Sequence, residues 1–327
     1  MIYLDYNATA PLSKSALHAM QELAGKPLNA SSVHEAGRIA RAKIEDARRK
    51  ILSYLGADER KQLVFTASGT EANNLALKGV GAVPVAVSAT EHVSVLDVIE
   101  NAYHIPVDQQ GALDMEALEC WLKNNKGGLV SVMLANNETG VIQPIKKISE
   151  LVHAYDGVMH TDAVQAFKRL PINISDLGVD MMTISSHKCG GPLGGAALVL
   201  PKSLELDPLF KGGGQEQNIR PGTENVPSIV GLASIVDDAY PCDTIGRLRD
   251  ELETNIVNIA PDAVIVAKDA ERLDNTSCII MPGVDNQTQL IAYDVDGICV
   301  SAGSACSSGK VTIPHVLTAM GYNKTLS

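Results

Sequence analysis

Apolar and polar positions follow two rhythms along this chain. Ala36, Ala40, Ile44, Ala47, Ile51 and Leu55 recur at spacings of three and four, with Arg41, Lys43, Glu45, Arg48 and Arg49 falling largely between them. That spacing predicts an amphipathic helix packed on a core. Ser32-Val33-His34-Glu35 ahead of it reads as a capping box, and Gly56 as its close. Beyond Gly56 short apolar runs predict strands over residues 63–66, 83–88, 105–108, 129–134, 158–161, 181–185 and 196–200. Helical patterns at 71–78, 94–101 and 145–154 fall between several of them. Alternating strands and helices predict an α/β domain with a mainly parallel sheet. Ligands of such sheets gather at the carboxyl ends of the strands.

Length divides the chain further. Its 327 residues exceed the roughly 250–300 at which single cores stop growing. The character changes at Pro241, where a polar helix with Leu248, Leu252, Ile256 and Ile259 leads into shorter strands at 277–281 and 298–301. The expected division is a large domain over 13–240 and a smaller α+β domain made of 1–12 and 241–327.

Composition excludes several classes. Hydrophobic residues make up 45% and charged residues 20%, as in an ordinary globular protein, and aromatics at 4% leave Leu, Ile, Val and Ala to build the core. A net charge of −11 argues against nucleic acid and anionic membranes, which need clustered Lys and Arg. The start, MIYLDYNATAPL, lacks the basic and apolar regions of a signal peptide, and no apolar stretch is long enough to span a membrane. The six cysteines are scattered without a C-x-x-C pair. Neither a disulfide framework nor a metal site is therefore expected, and a cytoplasmic location is.

Four motifs sit just after predicted strands. In Phe65-Thr66-Ala67-Ser68-Gly69-Thr70-Glu71 a strand ends, Gly69 allows a tight turn and a helix begins, which suits a phosphate. The same pattern serves many ordinary strand-to-helix turns. In His160-Thr161-Asp162-Ala163-Val164-Gln165 the Asp162 carboxylate either caps a helix or holds a pyridinium N–H. Lys188, in Ser185-Ser186-His187-Lys188-Cys189-Gly190-Gly191-Pro192, is poorly placed for a solvated role, and the glycines permit the close approach that a lysine bonded to a cofactor needs. Gly212-Gly213-Gly214-Gln215-Glu216 with Arg220-Pro221-Gly222-Thr223-Glu224 reads by itself as a flexible loop.

Phosphate turn, Asp162 and Lys188, in that order, resemble the parts of a fold-type I enzyme dependent on pyridoxal 5′-phosphate (PLP). Tyr3-Leu4-Asp5-Tyr6-Asn7-Ala8-Thr9-Ala10-Pro11, Glu91-His92, Asn136-Asn137-Glu138-Thr139-Gly140, His187-Lys188 and Ser301-Ala302-Gly303-Ser304-Ala305-Cys306 extend the likeness. Together they resemble the cysteine desulfurases of the nitrogenase-associated and iron–sulfur housekeeping group, from Tyr3 to about Gly321. The resemblance implies a mainly parallel seven-stranded sheet and conversion of L-cysteine to L-alanine. It implies Lys188 as the Schiff-base lysine, Asp162 at the pyridine nitrogen, Gln165 and Asn137 near the phenolic oxygen, and His92 stacked on the ring. Gly69, Thr70, Ser185 and His187 resemble the phosphate contacts. Thr223 resembles a residue reaching the phosphate from a second subunit, which implies a homodimer. Cys306 resembles the nucleophile that takes the sulfur as a persulfide and hands it to an iron–sulfur scaffold or another acceptor protein. Its Gly- and Ser-rich surroundings are too polar for a core and suit a mobile loop. Cys299, within an apolar run, reads as core, and Cys189 as a rival thiol.

One feature departs from that pattern. Members of the group continue past the position of Gly321-Tyr322 with a strand whose arginine clamps the substrate carboxylate, whereas the last arginine here is Arg272. The expectation is a small domain incomplete at its C-terminus that binds PLP and turns over cysteine poorly, unless another residue such as Arg220 holds the carboxylate. The alternatives are a selenocysteine lyase or aminotransferase of the same fold, and a weakly active relative that binds a sulfur-transfer partner.

Overall fold

The structure, a computed structural model, describes residues 1–303 and 314–322. Its strands are β1 (Ile2–Tyr3), β2 (Lys61–Thr66), β3 (Val85–Ser88), β4 (Tyr103–Ile105), β5 (Leu129–Ser131), β6 (Val158–Asp162), β7 (Met181–Ser185), β8 (Ala196–Pro201), β9 (Val264–Ile265), β10 (Ile279–Ile280) and β11 (Ile298–Cys299). The helices are α1 (Lys14–Gln21), α2 (Glu35–Tyr54), α3 (Gly69–Gly79), α4 (Val93–Leu96), α5 (Met115–Asn124), α6 (Ile145–Ala154), α7 (Ile174–Leu177), α8 (Val226–Ser234), α9 (Cys242–Ile259), α10 (Asn286–Val295) and α11 (His315–Ala319).

Seven strands form one sheet in the order β2-β8-β7-β6-β5-β3-β4. The pairs from β7 to β4 are parallel, and β8 runs antiparallel to both its neighbours. The expected mainly parallel seven-stranded α/β sheet is therefore present. All of its strands except the edge strand β4 are buried along nearly their whole length, as continuous apolar runs covered on both faces require. One core joins α2, α5, α6 and α8 to one face through residues such as Ile51, Leu118, Ile148 and Leu232. A second lies on the other face under α3, with Leu75, Ala76, Val87 and Leu198.

Several expected boundaries shift for identifiable reasons. The first long helix starts at Glu35, and its cap is His34, whose Nδ1 accepts from Gly37 N at 3.3 Å. The Ser32–Glu35 capping box does not form. The chain folds back so tightly that a Cβ at Gly37 would lie 2.2 Å from the Ser32 carbonyl oxygen, which leaves the imidazole to cap. Gly56 does follow the helix in a left-handed conformation, at φ +62°. Strand β2 begins two residues early because the Lys61 amine is tied to the carbonyls of Val179 and Asp180 at 2.8 and 2.9 Å. The helix expected over 94–101 stops at Leu96.

In α9, Leu248, Leu252 and Ile259 are exposed. The helix instead buries Gly246 and Glu253, and Glu253 holds Arg272 through two hydrogen bonds of 2.8 and 3.0 Å. Strand β1 pairs in parallel with β11, Ile2 opposite Ile298 and Tyr3 opposite Cys299. Among the described residues no helix is long and apolar enough to cross a membrane.

Candidate active site

The parallel strands deliver their following loops to one edge of the sheet. Crossing it from β7 through β6 and β5 to β3, the residues delivered are Ser185 and Lys188, Asp162 and Gln165, Asn137, and His92. Strand β2 runs parallel to β7, with β8 between them, so the turn at Gly69 and Thr70 reaches the same edge. Thr66 and Ser185 both pair with Ala196, and a Cβ on Gly69 would stand 3.7 Å from that of Ser185 and 2.9 Å from Val164 Cγ2. Only a glycine fits this approach of α3 to the Asp162 loop. Helix α3 is capped by Ser68, whose hydroxyl accepts from Glu71 N at 3.1 Å.

Lys188 is held by two tight glycines. Gly190 has φ +90°, and a Cβ on Gly191 would meet Ser186 Cβ at 2.3 Å. The lysine's Nζ donates to the main-chain oxygen of Asn7, and its carbonyl accepts from Arg169 Nη2 at 2.8 Å. Gln165 Nε2 donates to the same Asn7 oxygen at 3.0 Å. Arg169, one turn after Gln165, also binds the Asn7 side chain at 3.1 Å and Tyr6 O at 3.0 Å. Asn7 in turn donates to Thr276 Oγ1 at 2.9 Å and Asn137 O at 3.2 Å. The N-terminal segment thus closes over the lysine. Asn7 and Arg169 have central places in the site that the sequence did not reveal.

Asp162 is buried at the end of β6. Its Oδ1 accepts from Val164 N at 2.8 Å and its Oδ2 from Asn73 Nδ2 at 2.6 Å. No helix directly follows Asp162, so the helix-capping reading does not hold; the carboxylate closes a turn instead, and its remaining acceptor positions leave room for a ligand. His92 caps α4, its Nδ1 accepting from Ser94 N at 3.1 Å with Ser94 Oγ 2.8 Å away. Burial, and then the nearby Lys188 and His315, hold His92 below the usual imidazole range against the pull of Asp162. His187 meets Thr9 Oγ1 through Nδ1 at 3.2 Å, and burial pushes it down to about 4. Both rings are neutral at neutral pH.

The remaining expectations divide. Thr70 and Thr223 are exposed. Arg220 is occupied by Glu71, Nε to Oε1 at 2.7 Å, which argues against it as the holder of a substrate carboxylate. The Gly-rich loop is pinned where Glu216 takes two hydrogen bonds of 2.9 Å from buried Arg48. Cys189 is a poor nucleophile: its thiol donates to Ser186 O at 3.2 Å, and burial pushes it up to about 12. Cys299 is half-buried in β11. Cys306 lies outside the described residues.

The donor set fits a ligand such as PLP. Asn137 Oδ1 is buried without a hydrogen-bond partner among the described residues, an orphan acceptor at the site's centre whose amide partner nitrogen can serve a ligand oxygen. The glycine approach at α3 leaves backbone N–H groups for an anion. Asp162 retains acceptor capacity for a ring N–H.

Comparisons with known proteins agree with this geometry. The family described as "Aminotransferase class-V" matches residues 2–322, and its members depend in general on PLP. A cysteine desulfurase of Sinorhizobium fredii is 38% identical over 98% of this chain and 87% of its own length. The X-ray structure of a NifS-like protein from Rickettsia africae ESF-5 superposes with a TM-score of 0.93 at 40% identity, covering all of this chain and 91% of the other. SspA, solved in complex with cysteine, superposes at 0.87 with 29% identity, covering all of this chain and 96% of SspA. With the sheet, its loaded edge and these relatives in hand, the chain belongs to the class V aminotransferase family, among the cysteine desulfurases.

Proposed function

We propose that this protein is a PLP-dependent cysteine desulfurase that converts L-cysteine to L-alanine and moves the sulfur to Cys306. The observation that supports it best is the convergence at one sheet edge of Lys188, Asp162 and His92 with the amides of Gln165 and Asn137. Lys188 would bond the cofactor, Asp162 its pyridine nitrogen, His92 its ring face, and Gln165 and Asn137 its phenolic oxygen. Gly69, Thr70, Ser185 and His187 would hold its phosphate, together with Thr223 of a second copy in a homodimer. The reading divides the chain into a large domain, 13–240, and a smaller one, 1–12 with 241–327.

When bound, PLP supplies an electron sink for the charge left as the Cα proton departs. Lys188 Nζ is the base for that proton, kept in reach by the Asn7 carbonyl. Neutral His92 can exchange a proton at Nε2, because its Nδ1 is committed to Ser94. Arg169 and Asn7 lock the lysine loop to the N-terminal segment. Cys306 Sγ then takes the substrate sulfur. The Cβ–S bond of cysteine breaks, an S–S bond forms, one thiol hydrogen stays on the persulfide and the other proton goes to Cβ, so L-cysteine and a Cys306 thiol yield L-alanine and a Cys306 persulfide. An iron–sulfur scaffold or another sulfur-carrying protein would receive that sulfur. Five cysteines free of disulfides among the described residues favour a reducing compartment such as the cytoplasm.

The test is to incubate the PLP-loaded protein with L-cysteine, quantify alanine, and map added sulfur by mass spectrometry. One extra sulfur on the Cys306 peptide, with alanine formed, is expected. Alanine formed at full rate by a Cys306→Ser variant, with no persulfide, would instead point to another PLP reaction.

A further inference from the structure

Four side chains drawn from three separate segments form one buried hydrogen-bonded line. Asn73, on α3, is 1% exposed. Its Nδ2 donates one hydrogen to Asp162 Oδ2 at 2.6 Å and the other to Ser94 Oγ at 2.9 Å. The carboxylate dictates this orientation, since turning the amide would set its oxygen against an acceptor-only group. Ser94 Oγ, having accepted from Asn73, keeps its own proton for His92 Nδ1, 2.8 Å away. The Ser94 backbone N–H points at the same Nδ1 from 3.1 Å. Two donors thus converge on one ring nitrogen, and the proton of a neutral imidazole is left at Nε2.

We infer that Asn73 and Ser94 are positioning residues that lock His92 as its Nε2–H tautomer and tie that choice to the Asp162 carboxylate. The role in the reaction rests on the functional reading above; the tautomer itself does not. Asp162 is thereby linked to His92 through two neutral side chains. A protonated Nδ1 would face the Ser94 hydroxyl and the Ser94 N–H together, and the hydroxyl at 2.8 Å is the closer of the two. With both in place the ring exchanges its proton at Nε2, while the N–H alone at 3.1 Å holds Nδ1 less firmly. Burial and the Lys188 and His315 charges favour the neutral ring, while Asp162 and Asp97 favour the charged one. The Asn73 amide oxygen is buried and has no partner among the described residues. The amide's two hydrogen bonds are thus both donated, to Asp162 and to Ser94.

The experiment is 15N magnetic resonance of the PLP-loaded protein labelled at histidine, with His92 assigned by its absence from a His92→Gln sample. Expected is an unprotonated Nδ1 and a protonated Nε2 in the native protein. In Asn73→Leu and in Ser94→Ala the Nδ1–H form should rise to a readily detected fraction. Ser94→Ala should also lower kcat about 10-fold while KM for cysteine changes by less than about 2-fold, a smaller loss than the roughly 100-fold or more of removing a positioned acid–base group, because only part of the ring population changes tautomer. A protonated Nδ1 in the native protein overturns the inference. So does an unchanged tautomer in Ser94→Ala, a small truncation that keeps the result decisive if Asn73→Leu does not fold. The visible absorbance of the same samples reports PLP binding independently. A wrong tautomer in a PLP-loaded protein sinks this inference alone, and a protein that never takes up PLP sinks the functional reading while its tautomer is still measured.

Discussion

Lys188 and Asn7 meet although 181 residues separate them: the lysine's Nζ donates to the Asn7 main-chain oxygen. The Asn7 side chain fixes that oxygen in place by accepting from Asn275 at 2.9 Å and Arg169 at 3.1 Å and by donating to Thr276 and to the Asn137 carbonyl. Asn7→Ala strands these partners in a partly buried setting, each at about 1–3 kcal/mol. The variant should unfold at lower denaturant and release PLP faster. Retention of PLP at the native rate would show that the segment is held by other means.

Glu91 is fully buried, with Oε1 accepting from Met133 N and Oε2 without a partner among the described residues. Burial, and then Asp162, push its carboxyl well above the usual range, and the Met133 hydrogen bond offsets only part of this. A raised folded-state value means that the unfolded chain loses its proton first. Glu91 therefore withdraws stability as pH rises above the ordinary carboxylate value of 4.5. Glu91→Gln removes the titration. Its melting temperature relative to the native protein should increase between about pH 5 and about pH 8, and a difference constant with pH would contradict the assignment.

Cys189 and Cys120 should differ sharply in reactivity. Cys120 is exposed, whereas burial holds Cys189 at about 12. At pH 8 a thiol held at about 12 has a thiolate fraction of only about 1 in 10,000. Timed alkylation and peptide mapping should modify Cys120 well before Cys189. Rapid labelling of Cys189 would restore it as a rival to Cys306.

Much of this architecture was legible locally. β7 and α6 fall where the apolar pattern puts them, because one is a wholly buried run and the other keeps its spacing through Ile145, Ile148 and Val152. Lys188 and Asp162 were found because each lies at or just after the end of a predicted strand, whereas His92 was reached only through the family resemblance carried by Glu91-His92. Asn73 and Asn7 were not assigned roles, since their partners lie 89 and up to 269 residues away and no short spacing signals them. The capping box failed because sequence shows which side chains can cap, not how closely the chain folds back at Gly37.

Lys188 is proposed to be the residue that binds the cofactor. Borohydride reduction of the PLP-loaded protein followed by peptide mapping tests it most directly. A single pyridoxyl group is expected, on Lys188, and should be lost in Lys188→Ala with the fold intact. A pyridoxyl group on any other lysine, or none on a protein that has bound PLP, would contradict it.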